Sequence, residues 1–206
     1  MFRRLFISLL LLVFMGMVPM GCFRCEVPDY AILREFSLFI SEPAPGAIPF
    51  SEPVLDNGAR TTATALLLSI RQLQYDYVSA PSLRPLFTSQ ALAWSCEDPG
   101  LKGLKDQVEA VKLTSKGLFN GVPAGQSLNQ FVRGRTFSFF ADTAEFPLDQ
   151  LADVLNRRKY NNDIKNPISL RISPKPRDNA QQQFELRIRL QSGKEVTQTT
   201  PAIIWE

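Results

Sequence analysis

The chain of 206 residues contains no histidine. That absence removes Ser-His-Asp and Cys-His nucleophile pairs, histidine general bases and histidine metal sites. What remains for catalysis is carboxylate, lysine or tyrosine chemistry. Cysteine is scarce: Cys22, Cys25 and Cys96 are the full set. With no second cysteine pair and no histidine, a zinc site lacks ligands. An excess of one charge is missing too, since 23 Lys and Arg face 20 Asp and Glu for a formal charge of +3. A chain so near neutrality has no electrostatic case for binding nucleic acid. No cofactor motif and no internal repeat is present.

What the sequence does have is a distinctive start, MFRRLFISLLLLVFMGMVPMGC. Arg3 and Arg4 precede an apolar run over residues 5–20, broken near its end by Gly16 and Pro19. Gly21 and Cys22 follow, the small residue and thiol that lipoprotein processing uses. The match departs from the usual pattern, with Pro19 where Leu is common and Met20 where a small residue is common. Two rivals stand beside it. A transmembrane anchor needs roughly 20 apolar residues, and Pro19 would interrupt such a helix. A soluble export signal would show small residues at −1 and −3, which residues 15–21 barely supply. Cys25 is the poorer candidate for lipidation because Arg24 precedes it. The reading divides the chain into a signal at 1–21, a lipidated tether at 22–30 and a single domain at 31–206. Removing Arg3 and Arg4 with the signal takes the formal charge from +3 to +1.

An exported chain meets an oxidising environment. Cys25 and Cys96 then form a candidate disulfide, whose loop would contribute about 4 kcal/mol in the chain-entropy account. Two buried free thiols are the alternative. Cys22-Phe23-Arg24-Cys25 has redox-motif spacing but lies at a processed terminus rather than on a strand-to-helix turn.

About 180 mature residues suit one domain. Most segments read as β. Residues 32–40 place Arg34, Phe36, Leu38 and Ile40 on one face. Residues 65–78 begin with Leu66, Leu68 and Ile70, then change parity to Leu73, Tyr75 and Tyr77, which implies a bulge or bend. Residues 91–96, 107–115 and 168–172 are further strands. Phe184, Leu186, Ile188 and Leu190 alternate with Glu185, Arg187, Arg189 and Gln191, the clearest amphipathic strand in the chain. A tight turn at Gln191-Ser192-Gly193-Lys194 should return residues 195–205 as its partner, with Pro201 at an edge or end. One helix is credible: Pro147 opens it, Leu148, Leu151, Val154 and Leu155 share a face, and Asn156-Arg157-Arg158-Lys159 closes it with cations suited to the helix dipole. Arg133-Gly134-Arg135 reads as a surface loop. Ser127 should cap a short helical turn that carries Leu128 and Phe131 inward. The fold expected is mainly β: an antiparallel β-sandwich, Ig-like or related, with one short helix, or else a partly open barrel.

Four patches carry a family resemblance. They are the signal followed by Cys22 and Cys25; Ala93-Trp94-Ser95-Cys96 with the strand at 107–115; LFNGVPAGQSLNQFV at 118–132; and QFELRIRLQSGKEVTQTTPAI at 183–203. Together they resemble an uncharacterised domain family of lipoproteins from the Bacteroidota. The resemblance covers about a third of the mature chain. It implies an exported lipoprotein domain of unknown function and carries over no catalytic residue.

The function expected is a membrane-anchored envelope lipoprotein that acts as a non-catalytic binding or structural accessory module. Its partners would be the outer membrane, through the lipid, and envelope proteins or glycans. The periplasmic face is favoured, because Phe23-Arg24-Cys25-Glu26 lacks an acidic run after the lipid site. The alternative is a carboxylate-dependent polysaccharide hydrolase drawing on Asp142, Glu145, Asp149 and Asp153. Calcium held by Asp56-Asn57-Gly58 and Asp98 is a third reading, set against an ordinary turn at 56–58.

Overall fold

The computed structural model describes residues 28–43, 52–79, 100–136, 144–157 and 168–206. Cys22, Cys25, Cys96, Asp98 and Asp142 lie outside them, as do the strand expected at 91–96 and the cations Arg158 and Lys159.

The described residues form a mainly β structure of antiparallel sheets with one short helix and no closed barrel, consistent with a β-sandwich. The larger sheet has five strands. β1 (Tyr30–Ser41), β3 (Leu66–Val78), β7 (Ile168–Ile172), β5 (Val132–Thr136) and β6 (Phe146–Pro147) lie side by side in that order. A three-stranded sheet runs β10 (Glu195–Thr199), β9 (Phe184–Leu190), β4 (Val108–Ser115). The third sheet is small, with β11 (Ile203–Trp205) between β2 (Arg60–Thr61) and β8 (Gln181–Gln182). β11 runs parallel to β2 and antiparallel to β8.

Alternation explains the core. β9 buries Phe184, Leu186, Ile188 and Leu190 and turns Arg187 and Arg189 to solvent. From the larger sheet, Leu38, Ile40, Leu66, Leu68, Ile70, Leu170 and Ile172 join the same apolar cluster. Each fully buried aliphatic side chain stabilises the fold by roughly 1.5–3 kcal/mol. One aromatic group ties the small sheet in. Phe119 stands 6.0 Å from Phe184, 6.2 Å from Trp205 and 5.4 Å from Phe131 by ring centroids. The Trp205 indole N–H donates to the Ala63 carbonyl at 2.6 Å, so the buried ring keeps its polar atom satisfied.

The parity change in β3 is a bulge, and β1 carries its counterpart. One extra residue enters β1 at Arg34, between Leu33↔Tyr75 and Glu35↔Gln74. One extra residue enters β3 before Ser37↔Arg71. The two insertions cancel, so both strands switch faces together and their register is restored. The inward set of β1 therefore changes from Ala31 and Leu33 to Phe36, Leu38 and Ile40. Arg34, expected on the Phe36 face, is instead exposed and pairs with Asp76 at 3.2 Å.

Three other expectations need correction. Arg133-Gly134-Arg135 is no loop but the middle of β5, paired with β7. Gly134 fits there because the Phe146 ring lies where a Cβ would project. The return strand at 195–205 is broken. Thr200, Pro201 and Ala202 separate β10 from β11, and the two pieces join different sheets. Phe131 is half-buried rather than inside the core. The helix is found where expected: a 3-10 turn at Leu148–Gln150 leads into α1 (Leu151–Arg157), with Leu148, Leu151 and Leu155 buried.

Candidate functional site

Of the acidic residues offered as a hydrolytic group, Glu145, Asp149 and Asp153 are among the described residues. Asp149 lies in the 3-10 turn, where its carboxylate accepts a 2.6 Å hydrogen bond from the Asn129 side-chain amide. Asn129 then clamps β4, donating to the Val111 carbonyl at 2.9 Å and accepting from the Leu113 N–H at 3.0 Å. Asp149 thus orients an amide that finishes a strand edge. Asp153 is exposed in the first turn of α1, and Glu145 is exposed just before β6.

Asn156 does the same for the start of β4. It accepts from the Val108 N–H at 2.8 Å and donates to the Val108 carbonyl at 2.9 Å. Further along, the Leu113 carbonyl accepts from Leu128 N–H, and the Ser115 carbonyl from Gly125 N–H. The outer edge of β4 is therefore covered by side chains and loop backbone, which removes an edge that could pair with another chain. Ser127 accepts from the Asn129 N–H at 3.3 Å but does not cap the short turn as expected: the N-cap is buried Leu128, without a side-chain cap bond. Nothing in the periodicity of the sequence marks Asn129 or Asn156 for this work.

Asp56-Asn57-Gly58 is a docked turn. Gly58 has φ 81° and its N–H donates to the Ala202 carbonyl at 2.7 Å, while Asn57 accepts from Ala202 N–H at 3.1 Å. The Gly58 N–H and the Asn57 side-chain oxygen thus tie the turn to the strand junction. Among the described residues no three Asp, Glu, Cys or His side chains gather in a metal-ligating group.

Two loops are latched by a carboxylate. Asp178 accepts from the Asn120 N–H at 3.0 Å and the Gly121 N–H at 2.6 Å. These bonds, Gly121's first, hold its carboxyl below the usual range. Asn120 adopts φ 47° and returns a bond by accepting from Arg177 N–H at 3.1 Å. Beneath the latch, fully buried Gln182 accepts from Ser115 Oγ at 2.7 Å and donates to the carbonyls of Leu118 and Asn179. A glutamine inside a polar run gives no sign of burial in the sequence.

The solvent face of the three-stranded sheet is a charge ladder. Glu185 meets Lys116 and Arg187 at 3.0 Å each, Arg187 meets Glu195 at 3.3 Å, and Arg189 meets Glu109 at 3.0 Å. Lys116 first, then Arg187, holds the Glu185 carboxyl below its ordinary value. Both signs are interleaved, so this face offers matched pairs rather than a one-sign field.

Where the chain enters the sandwich, four backbone hydrogen bonds tie residues 28–31 to residues 100–105. Pro28 carbonyl accepts from Gly100 N–H at 2.8 Å, Asp29 carbonyl from Lys102 N–H at 2.9 Å, and Ala31 carbonyl from Lys105 N–H at 2.9 Å. Ala31 N–H donates to Gly103 carbonyl at 2.9 Å. Residues 28–31 and 100–105 therefore run parallel, with Ala31 bridged to Leu104. The Lys102 ammonium reaches the Asp29 carboxylate at 3.2 Å and stands 5.8 Å from the Tyr30 ring.

No protein-family profile, curated protein or solved structure matches the chain.

Proposed function

We propose that this chain is an exported lipoprotein, anchored through Cys22. Its β-sandwich would serve as a non-catalytic binding or structural accessory module on the periplasmic face of the outer membrane. The observation that carries the reading is how early the fold takes hold. Six residues, 22–27, separate the start of a lipidated chain from Pro28, which is already hydrogen-bonded to Gly100. At full extension that tether spans about 20 Å. A lipid on Cys22 would thus hold the entry strand close to the bilayer. The resemblance to Bacteroidota lipoproteins points the same way, as does a sequence without histidine. The binding-module reading is further supported by the use of Asp149 as a support for Asn129.

The same entry supports a Cys25–Cys96 disulfide. Cys25 lies three residues before Pro28 and Cys96 four before Gly100, within about 10 and 14 Å of that bonded pair at full extension. Thiol labelling of the oxidised, exported chain should find neither cysteine reactive until it is reduced.

Cell fractionation of Cys22→Ser tests the anchor. The unaltered chain should sediment with membranes and the variant should appear in the soluble fraction. A variant that still sediments and resists high salt contradicts the lipid anchor. A polysaccharide hydrolase would instead show turnover abolished by Asp149→Asn or Asp153→Asn.

A further inference from the structure

We infer that Asn120 is a latent modification site, kept from deamidation by the Asp178 carboxylate. The chain holds two Asn-Gly pairs, Asn57-Gly58 and Asn120-Gly121. Asparagine before glycine is prone to lose its side-chain ammonia, because glycine leaves the next amide nitrogen sterically open. Water is the sole co-reactant, and Gly121 is exposed to it. The Gly121 nitrogen attacks Asn120 Cγ, forming an N–C bond as the Cγ–Nδ2 bond breaks. The amide proton leaves with Nδ2 as ammonia, and a five-membered succinimide remains. Water then opens either imide bond. One product is aspartate on the original backbone. The other is isoaspartate, whose backbone runs through Cβ and Cγ.

The fold needs this pair where it stands. Phe119 and Val122 exchange backbone hydrogen bonds at 3.0 and 2.9 Å around a two-residue turn. Its central residues have φ 47° and 82°, the left-handed combination that favours asparagine followed by glycine. A second loop guards the reactive atoms. The Gly121 N–H, whose proton must go before the nitrogen can attack, donates to the Asp178 carboxylate at 2.6 Å. A negative oxygen at that distance holds the proton and disfavours charge on the nitrogen. The Asn120 amide is held as well. Its oxygen accepts from the Arg177 N–H at 3.1 Å, and its nitrogen donates to the Pro174 carbonyl at 3.4 Å. Deamidation would reach the interior from here. It sets a new carboxylate beside Asp178 and removes the donor to Pro174. Isoaspartate also lengthens the turn that fixes fully buried Phe119, next to the Leu118 carbonyl that Gln182 holds at 2.9 Å.

Incubation of the purified chain at neutral pH, followed by peptide mass analysis, reads both Asn-Gly pairs in one sample. Asn120 in the native chain should deamidate on the order of ten-fold more slowly than in the same chain held unfolded in urea. Asp178→Ala removes the acceptor and should speed deamidation of the folded chain at Asn120 on the order of ten-fold. Asp178→Asn, which keeps an acceptor without the charge, should speed it less. Asn57 is the internal reference, because its Gly58 N–H donates to the Ala202 carbonyl instead. It should keep its native rate in both variants, and thermal melting confirms that they are folded. The comparison between native and unfolded chain needs no variant at all. Equal rates at Asn120 in those two states would overturn the inference. So would an Asp178→Ala chain in which Asn120 keeps its native rate, or in which Asn57 accelerates equally.

Discussion

β3 and β4 meet the same demand in different ways. Over residues 67–70 β3 has a strand on each side, β1 and β7, so the N–H and C=O groups there are taken up by other backbones. β4 has a strand on one side alone, and its other edge is closed by Asn129, Asn156 and two loop amides. β3 is secured by packing and by ladders, β4 by packing and by two particular side chains. The paired bulges of β1 and β3 lie beyond that span, between residues 33–37 and 71–75, where the extra residue of one strand offsets that of the other. A strand sealed by asparagines depends on residues that no neighbouring strand can replace.

The contrast breaks first at the core of β3. Ile70→Ala, at a site with no exposed surface, should cost about 2–5 kcal/mol in denaturant unfolding. The amide exchange pattern of β4 should keep its relative order, since the loss is global. Asn156→Ala and Asn129→Ala should each cost about 1–3 kcal/mol, because each leaves a backbone donor and acceptor of β4 without its partner. Hydrogen exchange sharpens the point. The amides of Val108 and Leu113 should exchange faster in their respective variants while those of Leu68 and Ile70 keep their protection. Unchanged exchange at Val108 in Asn156→Ala would show that the clamp does not seal the edge. The smallest effect belongs to the charge ladder, where Glu185→Gln should cost about 0–1 kcal/mol for a half-exposed ion-pair set. Lys116, and then Arg187, lower the folded-state pKa of Glu185. Its contribution is therefore present above the ordinary glutamate value and lost as pH falls through the depressed one. Wild type and Glu185→Gln should converge in stability in that acid range.

The same contrast explains what is legible in the sequence. β9 is legible because four apolar residues alternate with charged ones, and a half-buried strand needs no more than that. The bulge in β3 is legible because Leu66, Leu68 and Ile70 fall out of phase with Leu73 and Tyr75. Its partner at Arg34 is not, since a single arginine in an alternating strand looks like part of the pattern. Pro201 announces an interruption, but not that β10 and β11 part into different sheets, which depends on distant partners at Arg60 and Gln181. Gly134 resembles a loop glycine between two arginines; only the Phe146 ring above it explains the position. Asn129, Asn156 and Gln182 were illegible for a common reason. Their work is set by backbone groups far along the chain, and polar residues in turns are ordinary on the surface. The carboxylates Asp149 and Asp153 stood out by density, yet Asp149 is engaged with one of those hidden amides.

The proposal that the sandwich is held to a membrane through Cys22 is tested most directly by intact-mass measurement of the protein extracted from membranes. The account predicts a chain that begins at Cys22 and carries the added mass of a diacylglyceryl group, with or without a further acyl chain. A chain that still begins at Met1, or one that begins elsewhere without lipid, would contradict it.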